Sequence, residues 1–158
     1  MGAPHPRGDL LPRTTVEAPE GARWTWCGVS GGVGASSLAA HSPAAAVSGA
    51  WPDPTLGWPA PTVLVARSSM SSLNAAGRFL QEWASGHVRD LHMVGLVISA
   101  DAPARPPRAV RARLSELSSL VAVWRLPWIA TWRETPEAAD PAATRIVATV
   151  AARLQEET

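Results

Sequence analysis

Three stretches of this chain are apolar at almost every position: residues 62–67 (TVLVAR), 93–99 (MVGLVIS) and 121–125 (VAVWR). Runs of that length without alternation predict strands in a sheet covered on both faces. Residues 24–29 (WTWCGV) alternate weakly and lead into a glycine cluster, which predicts a first strand before the glycines. Between the strands the apolar residues recur at helical spacing. One stripe is Leu73, Ala76, Leu80 and Trp83; a second is Val110, Leu114, Leu117 and Val121, flanked by Leu120; a third is Ile146, Val147, Val150 and Leu154. A serine at 69, 71 or 72 suits the cap of the first stripe and Gly86 its end, while Asp140-Pro141 suits the start of the last. The Pro106-Pro107 pair fits the first turn of the middle helix, and a further helix from about Ala35 is kept short by Pro43. Strand and helix alternate, with crossovers too long for hairpins, so parallel βαβ units follow. The predicted fold is a small three-layer α/β domain over residues 24–158, with a parallel sheet of about four strands. Ligands of such sheets bind beyond the carboxyl ends of the strands.

The polar pattern predicts what surrounds this domain. Residues 1–23 show neither a two-residue nor a 3.6-residue period and are rich in Pro and Gly, which predicts a flexible or extended arm. Residues 48–61 carry Gly49, Pro52, Pro54, Gly57, Pro59 and Pro61, which predicts an irregular connection held to the body by Trp51 and Trp58.

Composition changes this picture in a few places. The chain has 158 residues and 46% apolar content, enough for one folded domain with a modest core. A formal net charge of +1 gives no global electrostatic case for nucleic acid or membrane binding. The single cysteine, Cys27, excludes an internal disulfide framework and a multi-cysteine zinc site. No apolar run approaches the ~20 residues of a membrane span, and no secretory signal core is present, so a cytoplasmic protein is expected. The sequence has no lysine, 8 Trp, no Tyr and one Phe. High-GC codon usage would account for much of the preference for Arg over Lys and for Ala, Pro and Gly, yet the missing lysine leaves arginine as the only fixed side-chain cation.

That matters at residues 24–38, which read as strand, glycine-rich turn and helix start. Such a turn presents successive backbone N–H groups to an anion. A phosphate-binding loop of the G-x-x-x-x-G-K-[ST] type also needs a lysine after its last glycine. Here that residue is Ala35. The same segment, Gly28-Val29-Ser30-Gly31-Gly32, formally matches the G-x-S-x-G nucleophile elbow. That motif needs Ser, acid and His in chain order, and none of His5, His41, His87 or His92 follows Asp101. A hydrolase is therefore not expected.

Residues 30–37 (SGGVGASS) resemble the deviant phosphate loop K-G-G-V-G-K-T-T of the ParA/MinD (SIMIBI-class) ATPases. Gly31, Gly32, Val33 and Gly34 match, Ser36 and Ser37 stand for the threonines, and Ser30 and Ala35 replace the two lysines. Residues 63–67 with 73–76 resemble the late strand and helix of that fold. Gly95-Leu96-Val97-Ile98-Ser99 resembles its base-side strand, and Leu126-Pro127-Trp128 its L-P-[YF] corner. The family's two strands bearing switch aspartates have no counterpart before Thr62, where Asp53 is the single acid of the proline-rich connection. The chain from about Trp24 also resembles an uncharacterised tryptophan-rich family of high-GC actinobacteria, similar to proteins of plasmids and integrative elements. Residues 50–52, 83–86, 100–103 and 123–128 carry that likeness.

The resemblance implies a reduced P-loop NTPase-like fold. It assigns a phosphate or nucleotide to Ser30, Gly31, Gly32, Val33, Gly34, Ala35, Ser36 and Ser37, with Ser36 as the magnesium ligand. Ser99, Asp101 and Pro127 stand on the base side. The implied cofactor is ATP or another nucleotide with magnesium, or none. Loss of one preorganised donor typically costs about 10²–10³ in rate. With both lysines and the switch acids missing, a catalytically impaired domain that acts by binding is the expectation, in plasmid or mobile-element maintenance or transfer. Two alternatives stand beside it: a weak ATPase completed by a partner's Arg or Lys, and a structural interaction module whose glycines serve only the tight turn. Either Arg67 or Arg125 could approach the site, although bracing a carboxylate is the commoner role.

Without the two acid-bearing strands, the glycine-loop strand is expected at a sheet edge beside Trp24 and Trp26. The amino-terminal arm, a protein partner or a second copy would then cover it. Arg105, Arg108, Arg111 and Arg113 form a basic run, with Arg108 and Arg111 on one helix face. A solvated face is the default and nucleic acid is not favoured, since net charge is near zero. Trp128 and Trp132 flank a proline corner, where they pack the loop or stack on a base.

Overall fold

The computed structural model describes residues 10–157. Its strands are β1 (Trp24–Gly28), β2 (Ala45–Ser48), β3 (Pro61–Arg67), β4 (His92–Ser99) and β5 (Val123–Leu126). The helices are α1 (Ala35–Ala40), α2 (Met70–Ala84), α3 (Arg108–Ser118) and α4 (Pro141–Glu156), with 3-10 turns at Pro54–Leu56 and Ala130–Arg133. All strand pairs are parallel, in the order β2-β1-β3-β4-β5.

Side chains alternate along the central strands and so build two core layers. Val63, Val65 and Val97 join Trp24 and Trp26 under Leu38 of α1 and Ile146 and Val150 of α4. Leu64, Ala66, Leu96 and Ile98 join Cys27 under Leu73 and Phe79 of α2 and Leu114 and Leu117 of α3. The predicted three-layer α/β class is what forms. The helix ends follow local chemistry: Ser69 Oγ accepts from Ser72 N–H, and Gly86 takes φ +84° just beyond α2. At α4, Asp140 caps Ala142 and Ala143, and Pro141 occupies the first turn. Helix α3 stops at Ser118, so Val121 lies in the turn toward β5 rather than on the helix stripe.

The sheet of about four strands forms with five, because Ala45–Ser48 pairs with β1 along Trp24↔Ala45 to Cys27↔Ser48. One expectation is corrected: β1 is not an edge, since it lies between β2 and β3, and Trp24 and Trp26 are buried. The edges are β2 and β5. Strand β2 is four residues of small side chains, so neither its length nor its bulk marks it in the sequence.

From β1 the chain moves outward to β2, then returns across β1 to β3 and continues to β5. The order therefore reverses at the β1/β3 boundary, and a crevice opens there at the strands' carboxyl ends. The return crossing, residues 49–60, has no α-helix. Trp51 fills that layer instead: it is fully buried, meets the Phe79 ring at 4.8 Å, and donates Nε1–H to Glu82. Described residues of the amino-terminal segment run beside this crossing. Thr14 N–H donates to the Trp51 carbonyl, Trp51 N–H to Pro12, and Trp58 Nε1–H to Val16. Arg13 pairs with Asp90 at 2.8 Å. Residues 1–9 of the expected arm lie outside the described residues. Among the described residues, no helix is long and apolar enough to cross a membrane.

Candidate functional site

The glycine turn sits at the topological reversal, and its shape is set by residues that only glycine satisfies well. Gly32 and Gly34 have φ +67° and +95°, in the left-handed region that penalises a Cβ. At Gly28 a Cβ would lie 3.1 Å from Val33 Cγ2. Val33 is buried, and its carbonyl accepts from Ser99 Oγ at 2.6 Å, which ties the turn to the end of β4. On the other side Ser30 Oγ meets Ser72 Oγ at 3.1 Å, and Ser72 Oγ accepts the Arg67 N–H at 2.8 Å. The turn is thus anchored to β3, β4 and α2 together.

These elements wall a cavity of about 950 Å³ along the carboxyl edge of the sheet. Of the loop residues nominated from sequence, Ser30, Gly32, Val33, Gly34, Ala35, Ser36 and Ser37 line it, and Gly31 does not. Ser99, Asp101 and Pro127 line it as well. Ser99, however, commits its hydroxyl to the Val33 carbonyl, so it acts as a brace of the turn. Ser48 at the end of β2, Gly49 just after it, and Arg133 beyond β5 also contribute to the wall. None of these three was nominated, because β2 was not legible and Arg133 lies in an irregular corner. Trp128, Ile129 and Trp132 form an apolar part of the wall, and the Arg133 guanidinium stands 5.9 Å from the Trp128 ring centre. The corner is held against α1 through His41. Its Nδ1–H donates to the Ser37 carbonyl and its Nε2 accepts Asp140 N–H, while its ring lies 5.7 Å from that of Trp132. Those two partners require the neutral Nδ1–H tautomer.

Among the described residues, the charges on the wall are Arg67, Arg133 and Asp101. A guanidinium nitrogen of Arg67 lies 3.6 Å from where a Cβ on Gly32 would stand, so this arginine overhangs the turn. It also faces Asp101 at 3.6 Å, with both side chains nearly half exposed. Such a pair contributes at most about 1 kcal/mol. A charge-assisted hydrogen bond contributes about 1.5–3 kcal/mol, so an anion in the hollow can compete for the guanidinium. Arg125 does not line the cavity.

The donor set suits an anion better than a metal ion. No group of three His, Cys, Asp or Glu side chains gathers among the described residues. Among the described residues Asp101 is the one carboxylate on the wall, and it stands 3.6 Å from the Arg67 guanidinium. Magnesium would find the Ser36 hydroxyl on the loop, where one or two carboxylates are its usual protein ligands. Asp53, the single acid of the crossing, caps the 3-10 turn instead. Its carboxyl accepts from Thr55 Oγ1–H and N–H, which hold it below the ordinary carboxylate range.

Other candidate groups are placed elsewhere. No histidine lines the cavity among the described residues, so Ser30 has no base beside it; His5 lies outside them. Arg111 donates to the Pro106 carbonyl, and Arg113 pairs with Glu116 while lying against Gly77 of α2. Among the described residues, Arg105 and Arg108 of the basic run make no such contacts. Cys27 is buried between β1 and the crossing, and burial pushes its thiol up to about 12.

Residues 22–150 match the model of a family of unknown function, DUF6668. No curated protein and no solved structure matches the chain.

Proposed function

The chain belongs to the DUF6668 family, and from that premise we propose that it binds the phosphate chain of a nucleotide or related polyanion and acts through binding rather than turnover. The observation that carries this reading is the preformed turn at Gly32 and Gly34, overhung by Arg67, at the mouth of a hollow of about 950 Å³. A cavity of that size accommodates a nucleotide. The half-buried Trp128 and Trp132 offer a base an apolar wall. The likeness of residues 30–37 to the ParA/MinD loop supports the same ligand class, and by that likeness the setting is plasmid or mobile-element maintenance or transfer, with a protein partner or second copy reading the bound state.

Turnover is not part of the reading, because Ser30 and Ala35 stand at the two lysine positions of the ATPase loop and hydrolysis also needs a residue to orient water. Calorimetric titration with ATP, paired with a phosphate-release assay, tests it. Binding without release is expected. Release by the isolated chain that disappears in Ser36→Ala would establish an enzyme instead. No heat at millimolar ATP would leave the turn as a purely structural feature.

A further inference from the structure

We infer that Arg67 is the cation of this site, that Asp101 is its resident counter-ion, and that the ligand is a polyphosphate chain taken up without a divalent metal. This rests on the anion-binding reading above and assigns the groups that would carry it. The loop supplies no cation of its own: Ala35 is buried, and Ser30 is tied to Ser72. Arg67 reaches the loop from the adjacent strand. Its position is set by its backbone, since its N–H is held by the same Ser72 hydroxyl that meets Ser30. The end of β3 and the start of the turn are thereby one unit, and the guanidinium over Gly32 follows from that geometry.

Asp101 is held opposite by backbone contacts rather than by Arg67. Ser68 N–H donates to the Ser99 carbonyl, and Asp101 N–H donates to Ser68 Oγ at 2.8 Å. Its carboxylate therefore stays near the arginine whether or not they pair. At 3.6 Å the pair lies beyond hydrogen-bonding distance. A phosphate oxygen in the hollow would bond the guanidinium directly and leave Asp101 to solvent. The same carboxylate repels a polyanion, so Asp101 lowers affinity and confines the site to multiply charged ligands. Among the described residues the wall carries Arg67 and Arg133 against the single carboxylate of Asp101, so it is net positive before any metal arrives.

The test is calorimetry with sodium tripolyphosphate, in EDTA and again in magnesium, on the full chain and on Arg67→Gln, Arg67→Lys and Asp101→Asn. Thermal melts verify that each variant is folded. In EDTA, Arg67→Gln is expected to weaken binding by at least about tenfold, Arg67→Lys to restore part of it, and Asp101→Asn to tighten it about two- to fivefold. If Arg67→Gln binds like the parent, Arg67 is not the cation, while the anion-binding reading stands. Weaker binding by Asp101→Asn in magnesium alone would make Asp101 a metal ligand and overturn the metal-free claim. If neither the parent nor Asp101→Asn binds in either buffer, the anion-binding reading fails and this inference with it.

Discussion

Gly34 shows how a single backbone angle sets the site. It caps α1 with φ +95° and no side-chain cap, so the helix starts only because this residue tolerates the left-handed region. Gly34→Ala should cost about 1–2 kcal/mol in urea unfolding and weaken tripolyphosphate binding together with stability. Cys27 offers a pH test. Its thiol rises from 9.0 to about 12 because burial disfavours the thiolate. The folded chain therefore keeps a proton that the unfolded chain releases. The stability tied to that proton is complete below pH 9 and lost as pH climbs toward 12. Denaturant midpoints across that interval should fall more steeply for the parent than for Cys27→Ala, and a thiol reagent at pH 8 should label Cys27 only after unfolding.

Among the elements, the crossing from β2 to β3, which has no α-helix, carries the sharpest expectation. One indole stands where an α-helix commonly covers a parallel sheet, in contact with Phe79, Glu82 and the amino-terminal segment. Trp51→Ala should destabilise by about 3–5 kcal/mol and release residues 12–18 to protease. Trp51→Phe keeps an aromatic ring against Phe79 and loses the Glu82 hydrogen bond, so about 1 kcal/mol is expected. Equal melting temperatures for parent and Trp51→Ala would mean that the crossing is held by something other than this ring. The short β2 depends on that crossing too, because among the described residues no further strand pairs with its outer side.

The whole molecule converts a local turn into a site by strand order. Since the chain reverses between β1 and β3, the turn after one strand and the arginine ending the other share one crevice. A ligand held there binds the folded chain alone, so tripolyphosphate at a hundredfold excess over Kd should stabilise it by about 2.7 kcal/mol. At roughly 2–4 °C per kcal/mol for a chain of this size, the melting temperature should rise by about 5–10 °C. Arg67→Gln should lose most of that rise. A melting temperature indifferent to millimolar tripolyphosphate would contradict the anion-binding reading. Whatever follows the local period was already legible in the amino-acid order: the apolar runs of β3 and β4, the α2 and α4 stripes with a serine cap among Ser69, Ser71 and Ser72 and the Asp140 cap, and the glycine turn. Backbone periodicity and capping act over a few neighbouring residues, so the order of residues suffices for them. Strand β2, the burial of β1, the Ser99 brace and the meeting of Arg67 with Gly32 and Asp101 depended on which strands lie side by side. That arrangement buries Trp24, Trp26 and Trp51 among side chains far apart in the chain, so it is a property of the folded whole.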